Sequence, residues 1–439
     1  MSAAAKKPVE ERVYEVGELT RVEGEGSLRL RVRDGEVVEA RFGIFETPRY
    51  FEQLVVGRTP DEVIDIVARI CGICPVAYQM SAVHGFEDLF GVRVDPSTRA
   101  LRRLFYCGEW IESHALHVYF LHAPDFLGYE SGIALAADHG PLVEKALRMK
   151  KAGNRLVALL GGRPIHPVSV RVGGWSRAPR TAELREHRPA LVEALEIARE
   201  TVDIVAGFTM PAFARESRLV SLRHAAEYPY NDGRIVSSDG IDISPAAWRD
   251  VFEEHHVEGS NALHARAVDG RGPYLVGPAA RITLAADQLH PLAREALASS
   301  GFAEQIRTNV YASIVARAVE LVHAVAEAID IIDAYRPPSE PLVHWQSRPG
   351  VAAWATEAPR GLLFHRYEVD EAGRIRSAQI VPPTAQNQAA IERDLVAAAP
   401  EAIALPHEAA TRRLEQMIRS YDPCISCATH FLDLTIEEA

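Results

Sequence analysis

Two short stretches near opposite ends of the chain each carry a pair of thiols. RICGICPVAYQMSAVHG holds Cys71 and Cys74, and YDPCISCATH holds Cys424 and Cys427. The chain has five cysteines in 439 residues, so all but Cys107 sit in Cys-x-x-Cys pairs. This spacing puts two sulfurs on one side of a tight connection, which suits a thiol–disulfide couple or a metal ion. The redox reading wants a strand-to-helix junction in a small βαβ unit, and the residues around Cys71 do not read that way. Four cysteines are a common structural zinc set, but zinc fingers and ribbons draw their pairs from within tens of residues. Here the whole chain must fold to close the site. A thiolate-rich site also suits softer metals such as iron or nickel, with bridging sulfurs where two metals are present. Residue types alone leave these alternatives open.

The elements that must position the thiols can be read from periodicity. Residues 13–45 alternate apolar and polar around Asp34-Gly35, a strong hairpin signal. Thr59-Pro60-Asp61-Glu62 then reads as a capping box with Pro at the first helical position, leading into VIDIVARI. Cys71-Gly72 should end that helix, and Pro75 can open the next, because a first-turn residue needs no N–H partner. Cys71 and Cys74 are therefore expected on a connection between two helices. Apolar residues recur at helical spacing over about 101–122, 142–160, 180–206 and 305–334, the last unusually long, and long striped helices of this kind make bundles. The stretch RGLLFHRYEVDEAGRIRSAQIVP reads as a second small β element turning near Ala372-Gly373. The expected class is α+β, mainly α, a long-helix bundle with small peripheral sheets and no break between domains.

Composition narrows the function classes. The chain is 47% apolar and 25% charged, as folded proteins are, and its formal charge of −12 argues against a basic nucleic-acid face. It has no run of about 18 apolar residues for a membrane span. MSAAAKKPVEERVYE lacks the apolar core of a signal peptide, so a cytoplasmic, reducing setting is expected, in which paired cysteines more often bind metal. No Gly-rich dinucleotide fingerprint is present, since GEGSLRL does not fit one.

The two thiol stretches resemble the paired signatures of the large, catalytic subunit of nickel–iron hydrogenases, R-x-C-G-x-C near the N-terminus and D-P-C-x-x-C-x-x-H near the C-terminus. Order, placement and flanking residues match, and RVEGEG, GGRPIHP, EAPRG and IVPPT add further family-like stretches along nearly the whole chain. The resemblance implies the hydrogenase large-subunit fold over residues 1–430: a β element at 13–45, a helical bundle at about 59–335 and an α/β part at about 340–430. It implies that Cys71 and Cys424 are terminal nickel ligands, and that Cys74 and Cys427 bridge nickel to an iron carrying carbon monoxide and cyanide. Arg360 would stand over the metals and hold that ligand shell, and Thr384 would hydrogen-bond a cyanide. Glu23 would relay protons from a metal-bound thiolate. Glu52, 19 residues before Cys71, would bind Mg2+ with the carbonyl of Ile380 and with His430.

Two positions depart from the family pattern: Tyr78 stands where many members have His, and Ser113 where many have an acidic residue. His84, His114, His117, His122 and His166 read as packing or hydrogen-bonding residues, and Cys107 as a buried thiol. The nine residues after His430, FLDLTIEEA, resemble the tail that a maturation protease removes once nickel-insertion proteins have acted. Wording around the motifs is most like the cytoplasmic, NAD(P)-linked bidirectional branch of sulfhydrogenase type. Electrons from H2 would then leave through an iron–sulfur small subunit and diaphorase-like subunits, which hold the iron–sulfur clusters and flavin. The rival readings are a membrane-linked energy-converting hydrogenase and a structural four-cysteine zinc protein. The related quinone-site subunit of respiratory complex I is disfavoured, because that relative has lost the cysteines.

Overall fold

Four helices with long apolar faces build the largest core, and everything else is hung on them. The computed structural model of the chain describes residues 11–429. Helix Pro96–Leu116 starts on Asp95, whose carboxylate accepts from Ser97 N (2.7 Å) and Thr98 N (2.9 Å). Its end widens into a π-helical stretch, His117–His122. It packs with helices Gly140–Gly161 and Ser313–Ala334, and helix Arg188–Ala206 packs on both of those. The last of these is buried nearly all round, as an apolar helix at the centre of a bundle should be.

Two of the expected long helices are broken. The stretch 305–334 is a short helix, Ala303–Thr308, a 3-10 turn, Val310–Ala312, and then Ser313–Ala334. Asn309 makes the break: its side chain accepts from Tyr311 N (3.0 Å) and donates to Pro211 O (3.0 Å), offering the backbone an alternative to helix. The stretch 180–206 divides into Thr181–Arg185 and Arg188–Ala206, with Pro189 in the first turn of the second piece.

Strands Glu11–Val16, Gly26–Arg33 and Glu36–Ile44 form an antiparallel sheet, and Asp34 (φ 51°) and Gly35 (φ 84°) make its hairpin turn. This N-terminal sheet shares a core with helices Pro383–Ala402 and His407–Ser420, which brings the two ends of the chain together. A second antiparallel sheet, Gly350–Ala358, Gly361–Val369 and Ile375–Val381, lies on helix Pro75–Phe90 and includes one strand more than the sequence suggested. Residues 218–275 hold further strands, Arg218–Arg223, Arg234–Ser237, Asp242–Ile243 and Tyr274–Leu275, with the hairpin Phe252–His255 and His264–Ala267. Only helix was expected there, and strands of two to six residues are too short to show a period. Among the described residues no helix is long and apolar enough to cross a membrane.

Candidate metal centre

Local rules place the first thiol pair. Helix Pro60–Val67 carries the expected capping box, with Glu62 N donating to Thr59 Oγ1 (3.4 Å) and Thr59 N to Glu62 Oε2 (2.8 Å). The chain then turns through Cys71-Gly72-Ile73-Cys74 into helix Pro75–Phe90, with Cys74 at its N-cap. The N–H groups of Ile73 (3.3 Å) and Cys74 (3.2 Å) both point at Cys71 Sγ. The free N–H groups of that helix's first turn go to Glu109, which accepts from Val76 N (2.6 Å) and Ala77 N (3.2 Å).

The second pair follows helix His407–Ser420. Asp422 sits at φ 53° just before Pro423, an uncommon conformation for a non-glycine residue and for one preceding proline. In that pose its carbonyl accepts from Arg360 Nε (2.9 Å), and its carboxylate lies 3.1 Å from Arg360 Nη2. Cys424 N donates to Thr384 Oγ1 (2.9 Å), and Cys427 lies in the short helix Ile425–Ala428.

The four sulfurs meet. Cys71 and Cys424 are 3.6 Å apart, Cys74 and Cys427 3.7 Å, and Cys424 and Cys427 2.7 Å, and all four lie within 4.8 Å of one another. All are buried free thiols. Separations of 3.6–3.7 Å are the edge lengths expected when sulfurs share a metal at about 2.3 Å. Burial opposes charge on every sulfur. Hydrogen bonds from the other three, with the Arg360 guanidinium nearby, nevertheless hold the Cys71 thiol well below the ordinary range. Burial pushes Cys74, Cys424 and Cys427 up. Two backbone N–H groups aimed at Cys71 Sγ favour negative charge on that sulfur.

Glu23 arrives from the other end of the chain. Its Oε2 lies 3.1 Å from Cys424 Sγ and accepts from Ser426 N (3.1 Å), while its carbonyl accepts from Ile425 N (2.9 Å). RVEGEG can come this close because residue 24 is glycine. At φ 87°, a Cβ there would lie 2.7 Å from the Ile425 side chain and 2.9 Å from Ser426 N. Ser426 Oγ donates to Glu46 Oε2 (2.9 Å), so a second carboxylate follows Glu23 toward the surface. Arg49, to which sequence reasoning gave no role, staples the two motifs together. Its guanidinium donates to Ile70 O (2.6 Å) and to Ser426 O, and its N–H donates to Thr429 O (2.7 Å).

Arg360 is buried beside the sulfurs, and Asp422 and the thiols outweigh burial in keeping it protonated. Among the described residues its Nη1 has no acceptor, and its Nη2 faces Asp422 without hydrogen-bond alignment. Tyr78 is fully buried, and burial and the four thiols push its phenol well up; among the described residues neither its hydroxyl nor that of Ser113 has a partner. A thiolate set rimmed by unsatisfied buried donors fits a metal group that carries acceptors of its own.

Glu52 Oε1 accepts from Ile380 N (2.6 Å), so these two residues meet, while His430 lies outside the described residues. Burial, and then the charge of Glu254, push Glu52 up to about 8. Burial also takes Glu254 up to about 7, against a hydrogen bond from Gln379 (2.9 Å). The sequence offered no sign of Glu254, which sits in an unmarked FEEH stretch. The five histidines all have hydrogen-bond partners: His114 with Glu320, His117 with Arg419 O, His122 with Ser420, His84 with Asn231 and His166 with Ala68 O. Cys107 is buried on helix Pro96–Leu116, where burial raises its thiol.

Known proteins match this arrangement. The family model described as nickel-dependent hydrogenase matches residues 49–140 and 272–430. Sulfhydrogenase 1 subunit alpha of Pyrococcus furiosus is 32% identical over 434 residues, covering 95% of this chain and 98% of that protein. Sulfhydrogenase 2 subunit alpha of the same organism is 32% identical over 432 residues, covering 96% and 100%. The structure of an NAD+-reducing [NiFe]-hydrogenase in the H2-reduced state superposes with a TM-score of 0.86 at 27% identity, covering 95% of this chain and 99% of that one.

Proposed function

This chain belongs to the nickel-dependent hydrogenase family as a catalytic large subunit, and from that premise we propose how its residues divide the work. Cys71 and Cys424 would hold nickel, and Cys74 and Cys427 would be shared between nickel and iron. The observation that carries the reading is Glu23 Oε2 at 3.1 Å from Cys424 Sγ, inside a buried four-sulfur cluster. When bound, a nickel–iron centre with carbon monoxide and cyanide on iron supplies heterolytic cleavage of H2, which leaves a proton in need of a base. Glu23 takes that proton at Oε2 from the Cys424 sulfur. Ser426 steadies the carboxylate through its N–H and connects it to Glu46 through its hydroxyl. Arg360 would offer its Nη1, unpartnered among the described residues, to an acceptor on the iron's ligands, and Thr384 orients the backbone of Cys424. Glu52 and the Ile380 carbonyl would hold Mg2+ together with His430. In a strand the N–H and C=O of one residue face the same edge, so the Ile380 carbonyl opens on the Glu52 side.

A hydrogenase large subunit works with a small subunit. Here the fifth cysteine is buried away from the cluster, so the iron–sulfur relay belongs to that partner. We assign the chain to a cytoplasmic, NAD(P)-linked complex with diaphorase-like subunits. The similarity to sulfhydrogenase alpha subunits and the superposition on an NAD+-reducing enzyme support that assignment. The segment 431–439, outside the described residues, is taken as the tail that a maturation protease removes after nickel insertion. The test is H2-dependent reduction of NAD+ and NADP+ by the purified complex, with a viologen dye in parallel. Reduction of a pyridine nucleotide is expected. Dye reduction alone would overturn the acceptor, and no H2-dependent reduction at all would overturn the catalytic assignment.

A further inference from the structure

Arg360 stands at the turn between strands Gly350–Ala358 and Gly361–Val369, and a side chain at such a turn is only as well placed as the turn itself. This turn is held from beneath by Arg281, in helix Pro278–Ala285. Arg281 is fully buried, and all five of its N–H directions are used. Nε donates to Glu320 Oε1 (2.7 Å), and Nη2 to Glu320 Oε2 (2.8 Å) and Pro359 O (2.8 Å). Nη1 donates to Glu357 Oε2 (2.9 Å) and Ala358 O (3.0 Å). Two of the five bonds therefore fix the carbonyls of the two residues directly before Arg360. Glu320 is fixed in turn by Tyr228 Oη (2.7 Å) and His114 Nε2 (2.9 Å).

The backbone also has no room to shift. Gly361 (φ 137°) packs so closely that a Cβ there would lie 2.8 Å from Gly277 N. The helix that carries Glu320 also carries Arg317 one turn earlier, donating to Ser420 O (3.1 Å) and lying 3.9 Å from Asp422. One helix thus steadies both sides of the sulfur cluster.

We propose that Arg281, anchored on Glu320, is a positioning residue that sets Arg360 over the four sulfurs. It acts through the Ala358-Pro359 carbonyls and touches no sulfur itself. The inference rests on the reading that Arg360 binds the ligand shell of the metals. A lysine keeps the charge at this position but not the planar fork that reaches two carbonyls and a carboxylate together.

The experiment compares Arg281→Lys, Arg360→Lys and the double variant in the assembled complex. Nickel and iron content, H2 oxidation, the infrared bands of the iron ligands and amide exchange of residues 357–361 are measured in each. Arg281→Lys should keep its metals, shift the infrared bands, speed exchange in the 357–361 turn and lower turnover by about 10–10²-fold, the order expected for a misplacement near 1 Å. The double variant should turn over no more slowly than Arg360→Lys alone. Unchanged exchange in the turn, or effects that multiply in the double variant, would overturn the positioning role. Arg360→Lys with native turnover and native bands would overturn the reading of Arg360 and the inference with it. Should Arg281→Lys fail to load metals, Glu320→Gln, which keeps Arg281 in place on a weakened anchor, enters the same cycle with the same outcomes.

Discussion

Two buried carboxylate sites of this protein, Glu320 and the Glu52–Glu254 pair, settle their charge in opposite ways, although burial still takes Glu357, which shares Arg281 with Glu320, up to about 7. On helix Ser313–Ala334, burial works against Glu320, but the Arg281 guanidinium and the hydrogen bond from His114 hold its carboxyl down at about 2. At the edge of the Ile375–Val381 strand, burial and a like charge prevail, taking Glu52 up to about 8 and Glu254 up to about 7. The first region contains its own cation and keeps a shape. The second gathers negative charge whose balance favours the protonated acid, which is where an added divalent cation replaces protons. The sulfur cluster belongs to the second kind, with Arg360 as the protein's own charge at its rim.

The comparison predicts that removing a donor from a binding region removes ions and leaves the fold, whereas removing an anion from the paired region damages the fold. The largest effect is Cys427→Ser, because a hydroxyl is a much poorer bridging ligand than a thiolate. H2 oxidation and the infrared bands of the iron ligands should vanish while circular dichroism stays native; native bands with full activity would remove Cys427 from the ligand set. Next is Glu23→Gln, which keeps shape but cannot cycle a proton. Nickel, iron and the infrared bands should persist. H2 oxidation and H/D exchange with solvent should fall by about 10²-fold or more. Interconversion of ortho- and para-hydrogen should survive. Native exchange would send the proton through another group, with Glu25 as the next candidate.

In the paired region, Glu320→Ala leaves the buried Arg281 with Glu357 as its one remaining carboxylate partner, and should cost about 3–5 kcal/mol in denaturant unfolding. A cost near zero would break the comparison at its closed end. The smallest effect is also the one that separates the two regions by sign. Glu320 is lowered from the ordinary 4.5 to about 2, so its stabilisation is complete above pH 4.5 and is lost as pH falls toward 2. Glu52 and Glu254 are raised, so their region favours low pH and loses stability as pH rises from 4.5 through about 7 and 8. In a chelator, Glu52→Gln should flatten that alkaline loss of melting temperature by a few degrees, and saturating Mg2+ should do the same for the native chain. An alkaline limb that neither change affects would place Mg2+ elsewhere.

What the sequence made legible was what is written in short contiguous strings. The two thiol pairs, the capping box before Cys71, the Asp34-Gly35 turn and the RVEGEG stretch each owe their geometry to neighbours within a few residues. Glu23 could be named beforehand, although the role of Gly24 in letting it reach Ile425 could not. Arg49, Glu254 and the Arg281–Glu320 pair were invisible because each works only against a segment far along the chain. No local pattern marks Arg49 as the residue that reaches both Ile70 and Ser426. The strands within 218–275 escaped for another reason: they are set by what they pack on, and several are too short to alternate.

Everything above depends on the four sulfurs holding a nickel–iron pair rather than a structural zinc ion. Metal analysis of the purified, active complex tests it most directly. Nickel is expected at about one per chain, iron in excess of what the partner subunits' clusters contain by about one, and no stoichiometric zinc. Zinc at about one per chain, without nickel and with the fold intact, would contradict it.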